Sequence, residues 1–207
     1  FEGNLHTLMN YFQTEIHFGN YDLVLIRGDR YEMLPLAMLS AYKGIKIAHI
    51  EGGDLSGAID NKVRHAITAL SDIHFATNKE SFARLIQMGT DPDLTFNFGS
   101  LDVEYAKTIP ISERQEYVVM CFHPMPGEDP TLLENIIREE YTGDLRVIKS
   151  NKDNGQYGTE EYSPEDYLKL ISGATFLIGN SSSFLKEASI YGVPVIDIGS
   201  RQQNRLK

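Results

Sequence analysis

Acidic side chains stand directly after two apolar runs in the first half of the sequence. Asp29 follows the run at residues 22–26, and Glu51 follows the run at residues 45–50. Asp60 comes shortly afterwards, just ahead of a segment with helical spacing. Carboxyl groups that converge in one site raise at least one pKa, as a general acid or base near neutral pH requires. The pattern therefore predicts proton-transfer chemistry, with turn formation by Asp29 and helix capping by Asp60 as the alternatives.

A turn rich in glycine, asparagine and serine follows an apolar run in the second half. The run from Thr175 to Ile178 has strand character, and Gly179-Asn180-Ser181-Ser182-Ser183 stands between it and a segment with helical spacing. A strand that turns tightly into a helix leaves backbone N–H groups unpaired at a positive helix end, where phosphate binds. The commoner alternative is that Asn180 or Ser181 caps the helix. The stretch therefore indicates a phosphate site or a helix cap.

The remaining reactive side chains differ in where they stand relative to the predicted strands and helices. His123 stands at the end of a strand-like run, from which it could reach a phosphate or a sugar. His65 lies in a helical segment, where a satisfied histidine is the commoner role, and His49 lies inside an apolar run and is predicted to be packed. Cys121 is the only cysteine, and its apolar surroundings predict a buried thiol and exclude an internal disulfide.

Strand-like and helical segments alternate along the whole chain, which predicts right-handed βαβ units and parallel sheets. Each strand prediction is a short apolar run, and each helix prediction has apolar residues spaced by three and four. We predict strands at 22–26, 45–50, 73–77, 95–98, 117–122, 145–149, 175–178 and 193–198. We predict helices at 5–16, 34–42, 61–70, 79–88, 131–141, 164–171 and 184–191, and a surface loop at 151–163.

A polar stretch that contains Pro110 interrupts this alternation. It predicts two Rossmann-like lobes, at residues 1–103 and 117–207, with a hinge at 104–116. Ligands bind beyond the carboxyl ends of parallel strands, so we expect a cleft between the lobes with acids on one wall and phosphate-binding groups on the other. The chain opens on a helix without a preceding strand and stops just after a strand, which predicts a fragment truncated at both ends.

Composition limits the partners. The sequence has 19 basic and 29 acidic residues, a formal net charge of −10, which argues against nucleic acid. No run approaches the roughly 20 apolar residues of a membrane span, no signal peptide is visible, and no zinc-ligand spacing occurs. A single cysteine suits a reducing compartment, so we expect a cytoplasmic protein.

Several stretches, taken in order, resemble the UDP-N-acetylglucosamine 2-epimerase family, and specifically its hydrolysing branch. The resemblance covers about residues 20–205. It is carried by Arg27-Gly28-Asp29-Arg30, by His49-Ile50-Glu51-Gly52-Gly53-Asp54 with Ser56-Gly57 and Ile59-Asp60, by Arg64-His65-Ala66-Ile67-Thr68 and Leu70-Ser71-Asp72-Ile73-His74-Phe75, and by Phe122-His123-Pro124, Gly179-Asn180-Ser181-Ser182-Ser183, Glu187-Ala188, Gly192-Val193-Pro194-Val195 and Gly199-Ser200-Arg201-Gln202.

The resemblance implies a GT-B-like fold with the sugar nucleotide in the interlobe cleft. Its reaction removes the C2 proton of the sugar, expels the nucleoside diphosphate and hydrates the resulting glucal to N-acetylmannosamine or a related sugar of sialic-acid-type pathways. It implies no cofactor and no metal, and a homo-oligomer, either a dimer or a tetramer. Alternatives are a non-hydrolysing epimerase, a GT-B glycosyltransferase and an inactive nucleotide-sugar-binding fragment.

The resemblance also implies roles for individual residues. Ser181, Ser182 and Arg201 match phosphate contacts, and Glu187 matches a ribose contact. The implied catalytic residues are Asp29, Glu51, Asp60 and His123, and the implied substrate-binding residues are Arg30, Arg64, His65, Asn180, Ser181, Ser182, Ser183, Glu187 and Arg201.

Overall fold

The computed structural model describes residues 5–56, 60–124, 127–148, 158 and 161–203. It divides the chain into two compact units, Phe1–Leu101 and Asp102–Lys207. Most of the predicted loop at 151–163 lies outside the described residues, as do Gly57 and Ile59 of the family resemblance and the last residues of the chain. Among the described residues, no helix has the length and apolar character that crossing a membrane requires.

The first unit is a four-stranded parallel sheet in the order β1-β2-β3-β4. Its strands are β1 (Leu23–Arg27), β2 (Lys46–Ile50), β3 (Ile73–Ala76) and β4 (Thr95–Asn97), and its helices are α1 (Leu5–Glu15), α2 (Met33–Tyr42), α3 (Asp60–Leu70) and α4 (Lys79–Gln87). Because the strands are parallel, their carboxyl ends lie along one edge, which is where β1 and β2 deliver the turns that carry Asp29 and Glu51.

Alternation along the strands decides which side chains form the core of this unit. Ile26 of β1 and Ile47 of β2 are buried against Ala37 of α2 and against Val63 and Ile67 of α3. Val63 and Ile67 are four residues apart, so they share one face of α3. Asn78 begins α4 by accepting a hydrogen bond from the Ser81 N–H at 2.8 Å.

β1 is buried on one face only. β1 lies at the edge of the described sheet, and the Leu25 side chain on the face away from Ile26 is 60% exposed. An apolar run predicts a strand, but it does not reveal whether neighbours cover both faces of that strand.

The second unit is also a four-stranded parallel sheet, in the order β6-β5-β7-β8. One of its two interior strands, β5 (Tyr117–Cys121), is buried at every position. Around it lie β6 (Asp144–Val147), β7 (Phe176–Gly179), β8 (Val195–Asp197) and the helices α5 (Leu101–Thr108), α6 (Pro130–Glu140), α7 (Pro164–Gly173), α8 (Ser182–Lys186) and α9 (Ala188–Tyr191). The α/β class with two successive parallel sheets is therefore as predicted.

The stretch predicted as a hinge begins with a helix. Ala106 of α5 is fully buried in the core of the second unit, and its carbonyl accepts a hydrogen bond from Tyr191 Oη at 2.8 Å. The polar composition of 103–116 concealed this helix because only a few side chains, Ala106 and Ile109 among them, face the core. The predicted domain bounds and the hinge at 104–116 stay predictions.

Candidate active site

The first unit places Asp29 and Glu51 on adjacent turns. Gly28 follows β1 with a φ of +77°, a left-handed conformation that glycine adopts without strain, and its N–H donates to the Ile50 carbonyl at 2.9 Å. A Cβ atom at Gly28 would lie 3.8 Å from Glu51 Oε2, so the Glu51 carboxyl group lies over the Gly28 turn. The strand-end acids of β1 and β2 are therefore neighbours, as their positions in sequence suggested.

Glu51 is held in a strained backbone conformation. Its φ of +67° is the only positive φ of a non-glycine residue among those described, and such strain costs about 1–3 kcal/mol. The Glu51 N–H donates to the Phe75 carbonyl at 2.9 Å, and Oε1 accepts from Arg27 Nη2 at 2.9 Å and Nε at 3.1 Å. The side chain is 13% exposed. Strain held at a strand end by several contacts is typical of functional residues.

Arg64 connects Asp29 to α3. Its side chain is only 4% exposed and forms an ion pair with the Asp29 carboxylate. Its guanidinium also donates to the Asp54 carbonyl at 2.8 Å and to Asn61 Oδ1 at 3.0 Å. Asp60, the first residue of α3, lies four residues before Arg64 and therefore on the same face of the helix. Arg64 thus contacts Asp29 and shares a helix face with Asp60, while Glu51 is held by Arg27 instead.

The predicted substrate-binding residues of this unit differ in exposure. Arg30 is exposed, and its Nη2 pairs with Glu32 at 2.8 Å, which lowers the pKa of Glu32. Arg64 donates to protein groups on three sides. His65 is partly buried, and burial lowers its pKa, with further lowering by the charges of Arg64 and Arg84. Arg64 is therefore built into the structure of the turn, while Arg30 lies at the surface.

In the second unit, Asn180 joins the ends of β5, β7 and β8. Its Oδ1 accepts from the His123 N–H at 2.7 Å, and its Nδ2 donates to the His123 carbonyl at 2.9 Å. The Asn180 carbonyl accepts from Arg201 Nη1 at 3.1 Å and from Gln202 Nε2 at 2.6 Å. Asn180 therefore brings three predicted site residues together, since its side chain bonds the main chain of His123 and its main-chain carbonyl bonds Arg201.

Gly179 permits this close approach. Its φ is +143°, and a Cβ atom there would lie 2.0 Å from the Cys121 carbonyl oxygen. Cys121 is buried, as predicted, and burial raises the pKa of its thiol to about 11. A thiol that stays protonated at neutral pH is a poor nucleophile.

The serine-rich turn lacks the side-chain capping bond from Asn180 or Ser181 that the sequence offered as the alternative to a phosphate site. The Asn180 side chain bonds His123, and Ser181 makes no side-chain capping bond to the described helix. The predicted helix at 184–191 is divided at Glu187 into α8 and α9, and α8 has five residues. A helix this short has a small dipole, so an anion at this turn would depend on nearby N–H and hydroxyl groups.

Side chains beside the turn are already fixed. Ser183 Oγ accepts a hydrogen bond from Tyr167 Oη at 2.6 Å. Glu187 is 9% exposed, and burial raises its pKa to about 7, with a further contribution from the Asp102 charge. Its Oε2 is buried without a hydrogen-bond partner among the described residues. This oxygen is enclosed by the protein and has almost no surface open to solvent.

Sequence reasoning missed two partners of these residues. Arg27 pairs with Glu51, and Gln202 holds the Asn180 carbonyl while being 1% exposed. Parallel pairing of β1 with β2 sets Arg27 opposite Ile50, next to Glu51, so the strand register contained the first signal. We see no corresponding signal for Gln202.

Comparison with known proteins places this geometry in a family. The family model described as UDP-N-acetylglucosamine 2-epimerase matches residues 4–140. The chain belongs to the UDP-N-acetylglucosamine 2-epimerase family. It is 34% identical to the UDP-N-acetylglucosamine 2-epimerase of Neisseria meningitidis, with 98% of this chain and 61% of the relative covered. It is 31% identical to the GDP/UDP-N,N'-diacetylbacillosamine 2-epimerase (hydrolyzing) of Campylobacter jejuni, with 90% and 58% covered.

A solved structure of the same family confirms the fold. The UDP-GlcNAc 2-epimerase of Methanocaldococcus jannaschii, solved in complex with UDP-GlcNAc and UDP, superposes with a TM-score of 0.74 at 19% identity, covering 95% of this chain and 65% of that one. The fold is therefore α/β and GT-B-like, with two Rossmann-like lobes. The chain spans about 61% of the length of the Neisseria relative.

Proposed function

We propose that this chain carries the proton-transfer and nucleotide-binding residues of a hydrolysing UDP-N-acetylglucosamine 2-epimerase. The observation that carries the proposal is the pair of strand-end acids on adjacent turns, with Asp29 held by Arg64 and with Glu51 held by Arg27 at a φ of +67°. Asp60 lies on the same helix face as Arg64. Family membership supports epimerase chemistry, and the C. jejuni relative named as hydrolyzing supports the hydrolytic branch. The UDP-sugar complex of the M. jannaschii enzyme supports the substrate class.

In the proposed reaction, a carboxylate of the first unit removes the proton from C2 of the sugar. The electron pair of the C2–H bond forms the C1–C2 double bond while the C1–O bond breaks, and UDP leaves with the pair of the broken bond. Water then adds at C1 of the 2-acetamidoglucal, and C2 takes a proton on the opposite face. Abstraction of a weakly acidic C–H proton requires a positioned base, and the strand-end acids are candidates for both proton transfers.

The second unit is proposed to hold the leaving group. Departure of UDP builds negative charge on the diphosphate, and fixed donors aimed at that charge lower the barrier. Arg201, His123 and the backbone and hydroxyl groups of Ser181 and Ser182 are the proposed donors. Glu187 is proposed to accept hydrogen bonds from the ribose hydroxyls, as the family resemblance implies.

Product identification tests this proposal. Purified chain is incubated with UDP-N-acetylglucosamine, a GDP-sugar and a diacetamido UDP-sugar, and released nucleotide and free sugar are identified by mass spectrometry. We expect UDP and N-acetylmannosamine, reduced about 10²-fold or more by Glu51→Gln and unchanged by Glu104→Gln, an exposed acid paired with Lys107.

Two outcomes overturn parts of the proposal. Formation of UDP-N-acetylmannosamine without free sugar would establish the non-hydrolysing reaction. Binding of UDP with no turnover of any of the three substrates would leave a nucleotide-sugar-binding fragment.

The expected homo-oligomer and cytoplasmic location stay predictions, which light scattering and cell fractionation check.

A further inference from the structure

His49 lies beneath both acid-bearing turns of the first unit. It is fully buried in β2, between Ile26 of β1 and His74 of β3 in the strand register. Its Nε2 lies 2.8 Å from the Gly28 carbonyl, and its Nδ1 lies 3.1 Å from Thr68 Oγ1 of α3. One imidazole thus connects the residue before Asp29 to the helix that carries Arg64.

The partners of His49 determine its tautomer. A backbone carbonyl only accepts hydrogen bonds, so Nε2 carries the proton and donates to Gly28. Nδ1 is then an acceptor, and the Thr68 hydroxyl donates to it. Burial lowers the pKa of His49 to about 4, which keeps the ring neutral at physiological pH and preserves this arrangement.

The turn after Glu51 packs directly on this pair. A Cβ atom at Gly52 would lie 3.1 Å from His49 Nδ1 and 3.3 Å from Thr68 Oγ1, so a glycine is needed for the turn to approach so closely. The Gly28 and Glu51 N–H groups also donate to Ile50 and Phe75 in the same layer. A shift of the ring would therefore move both turns together.

We propose that His49 and Thr68 form a positioning pair that fixes the turns carrying Asp29 and Glu51. A catalytic role for this pair depends on the proposed function. The pair acts through those two acids and does not touch the substrate. A misplacement of about 1 Å at a catalytic group can cost about 10²-fold in rate, so a hydrogen bond beneath the turns is able to control turnover.

Amide hydrogen exchange tests the positioning without any need for activity. Thr68→Val keeps the shape of the side chain and removes the hydroxyl, while Thr68→Ser keeps the hydroxyl. In Thr68→Val we expect exchange at the Gly28 and Glu51 amides to accelerate about tenfold or more through local opening. In Thr68→Ser we expect both rates to stay near those of the unmodified chain.

The pattern of rates decides the inference. Unchanged exchange at Gly28 and Glu51 in Thr68→Val would overturn it. Equal acceleration at these amides and at Ile47, in the middle of β2, would mean a merely structural role and would overturn it as well. Long-range nitrogen NMR adds an independent signature, since we expect the neutral Nε2–H tautomer of His49 at pH 7, and the opposite tautomer would contradict the argument.

Kinetics connects the pair to turnover. We expect Thr68→Val to lower kcat about 10-fold to 10²-fold with KM for UDP-N-acetylglucosamine nearly unchanged, and Thr68→Ser to restore kcat. A rise in KM alone would refute a role in positioning the acids. If the unmodified chain turns over none of the sugar nucleotides, the proposed function has failed, and the exchange rates still decide whether His49 and Thr68 fix the turns.

Discussion

Arg64→Met tests the buried ion pair that holds Asp29 in the first unit. The substitution keeps an unbranched side chain but removes the ion pair with Asp29 and the 2.8 Å bond to the Asp54 carbonyl. Removing one partner of a buried ion pair costs about 3–5 kcal/mol. Because the Asp29 side chain is 18% exposed, water solvates part of the remaining charge, so we expect the lower end of this range, about 3 kcal/mol.

Thermal unfolding followed by circular dichroism measures this loss. At about 2–4 °C per kcal/mol for a chain of this size, Tm should fall by about 6–12 °C. Arg138→Met is the matched control, since Arg138 pairs with Glu134 at the surface with a side chain 49% exposed, and we expect a cost below about 0.5 kcal/mol.

A double variant separates the charge from the packing. Adding Asp29→Leu to Arg64→Met removes the unpaired carboxylate, so the double variant should be more stable than Arg64→Met alone. The reasoning is refuted if Arg64→Met lowers Tm no more than Arg138→Met does, or if the double variant is less stable than the sum of the two single changes.

Three further predictions concern individual side chains. Glu187 has a pKa of about 7 in the folded chain, against an ordinary value of 4.5. Between pH 4.5 and pH 7 the folded chain therefore keeps a proton that the unfolded chain has released. Stability should therefore fall by about 3 kcal/mol from pH 4.5 to pH 7. Glu187→Gln should abolish this contribution, and urea unfolding at pH 5 and pH 8 that shows the same pH dependence in both proteins would contradict it. Asp60→Asn should lower kcat by about 10²-fold or more with UDP affinity unchanged. Steady-state kinetics measures the first effect and calorimetry the second, and a variant that is merely unfolded gives no support to an acid/base role for Asp60. Ser182→Ala should weaken UDP binding about tenfold, the worth of one hydrogen bond to a charged group, with kcat nearly unchanged; a calorimetric affinity equal to that of the unmodified chain would exclude the contact.

The sequence was sufficient to predict the strands and the turns that follow them. Each strand is a short apolar run, and burial in a parallel sheet requires such a run whatever the distant parts of the chain do. The ends of β3, from Ile73 to Ala76, and of β7, from Phe176 to Gly179, fall within one or two residues of the prediction. Residue types after those strands also led to the site predictions, which stay predictions.

Contacts between distant residues could not be predicted in the same way. The Arg64–Asp29 ion pair and the Asn180–His123 bonds join residues 35 and 57 positions apart. They depend on the order of strands and on side-chain direction, neither of which a local pattern contains. The substrate contact that the resemblance implies for Arg64 stays a prediction, and the structure adds three protein partners that the sequence did not reveal.

Incorporation of solvent deuterium tests the central claim most directly. The claim is that acids of the first unit remove and replace the proton at C2 of the sugar. The chain is incubated with UDP-N-acetylglucosamine in deuterium oxide, and the free sugar is analysed by proton NMR and mass spectrometry. We predict N-acetylmannosamine that carries one deuterium, at C2. Release of N-acetylglucosamine, or of a sugar whose C2 proton is retained from the substrate, would contradict the account.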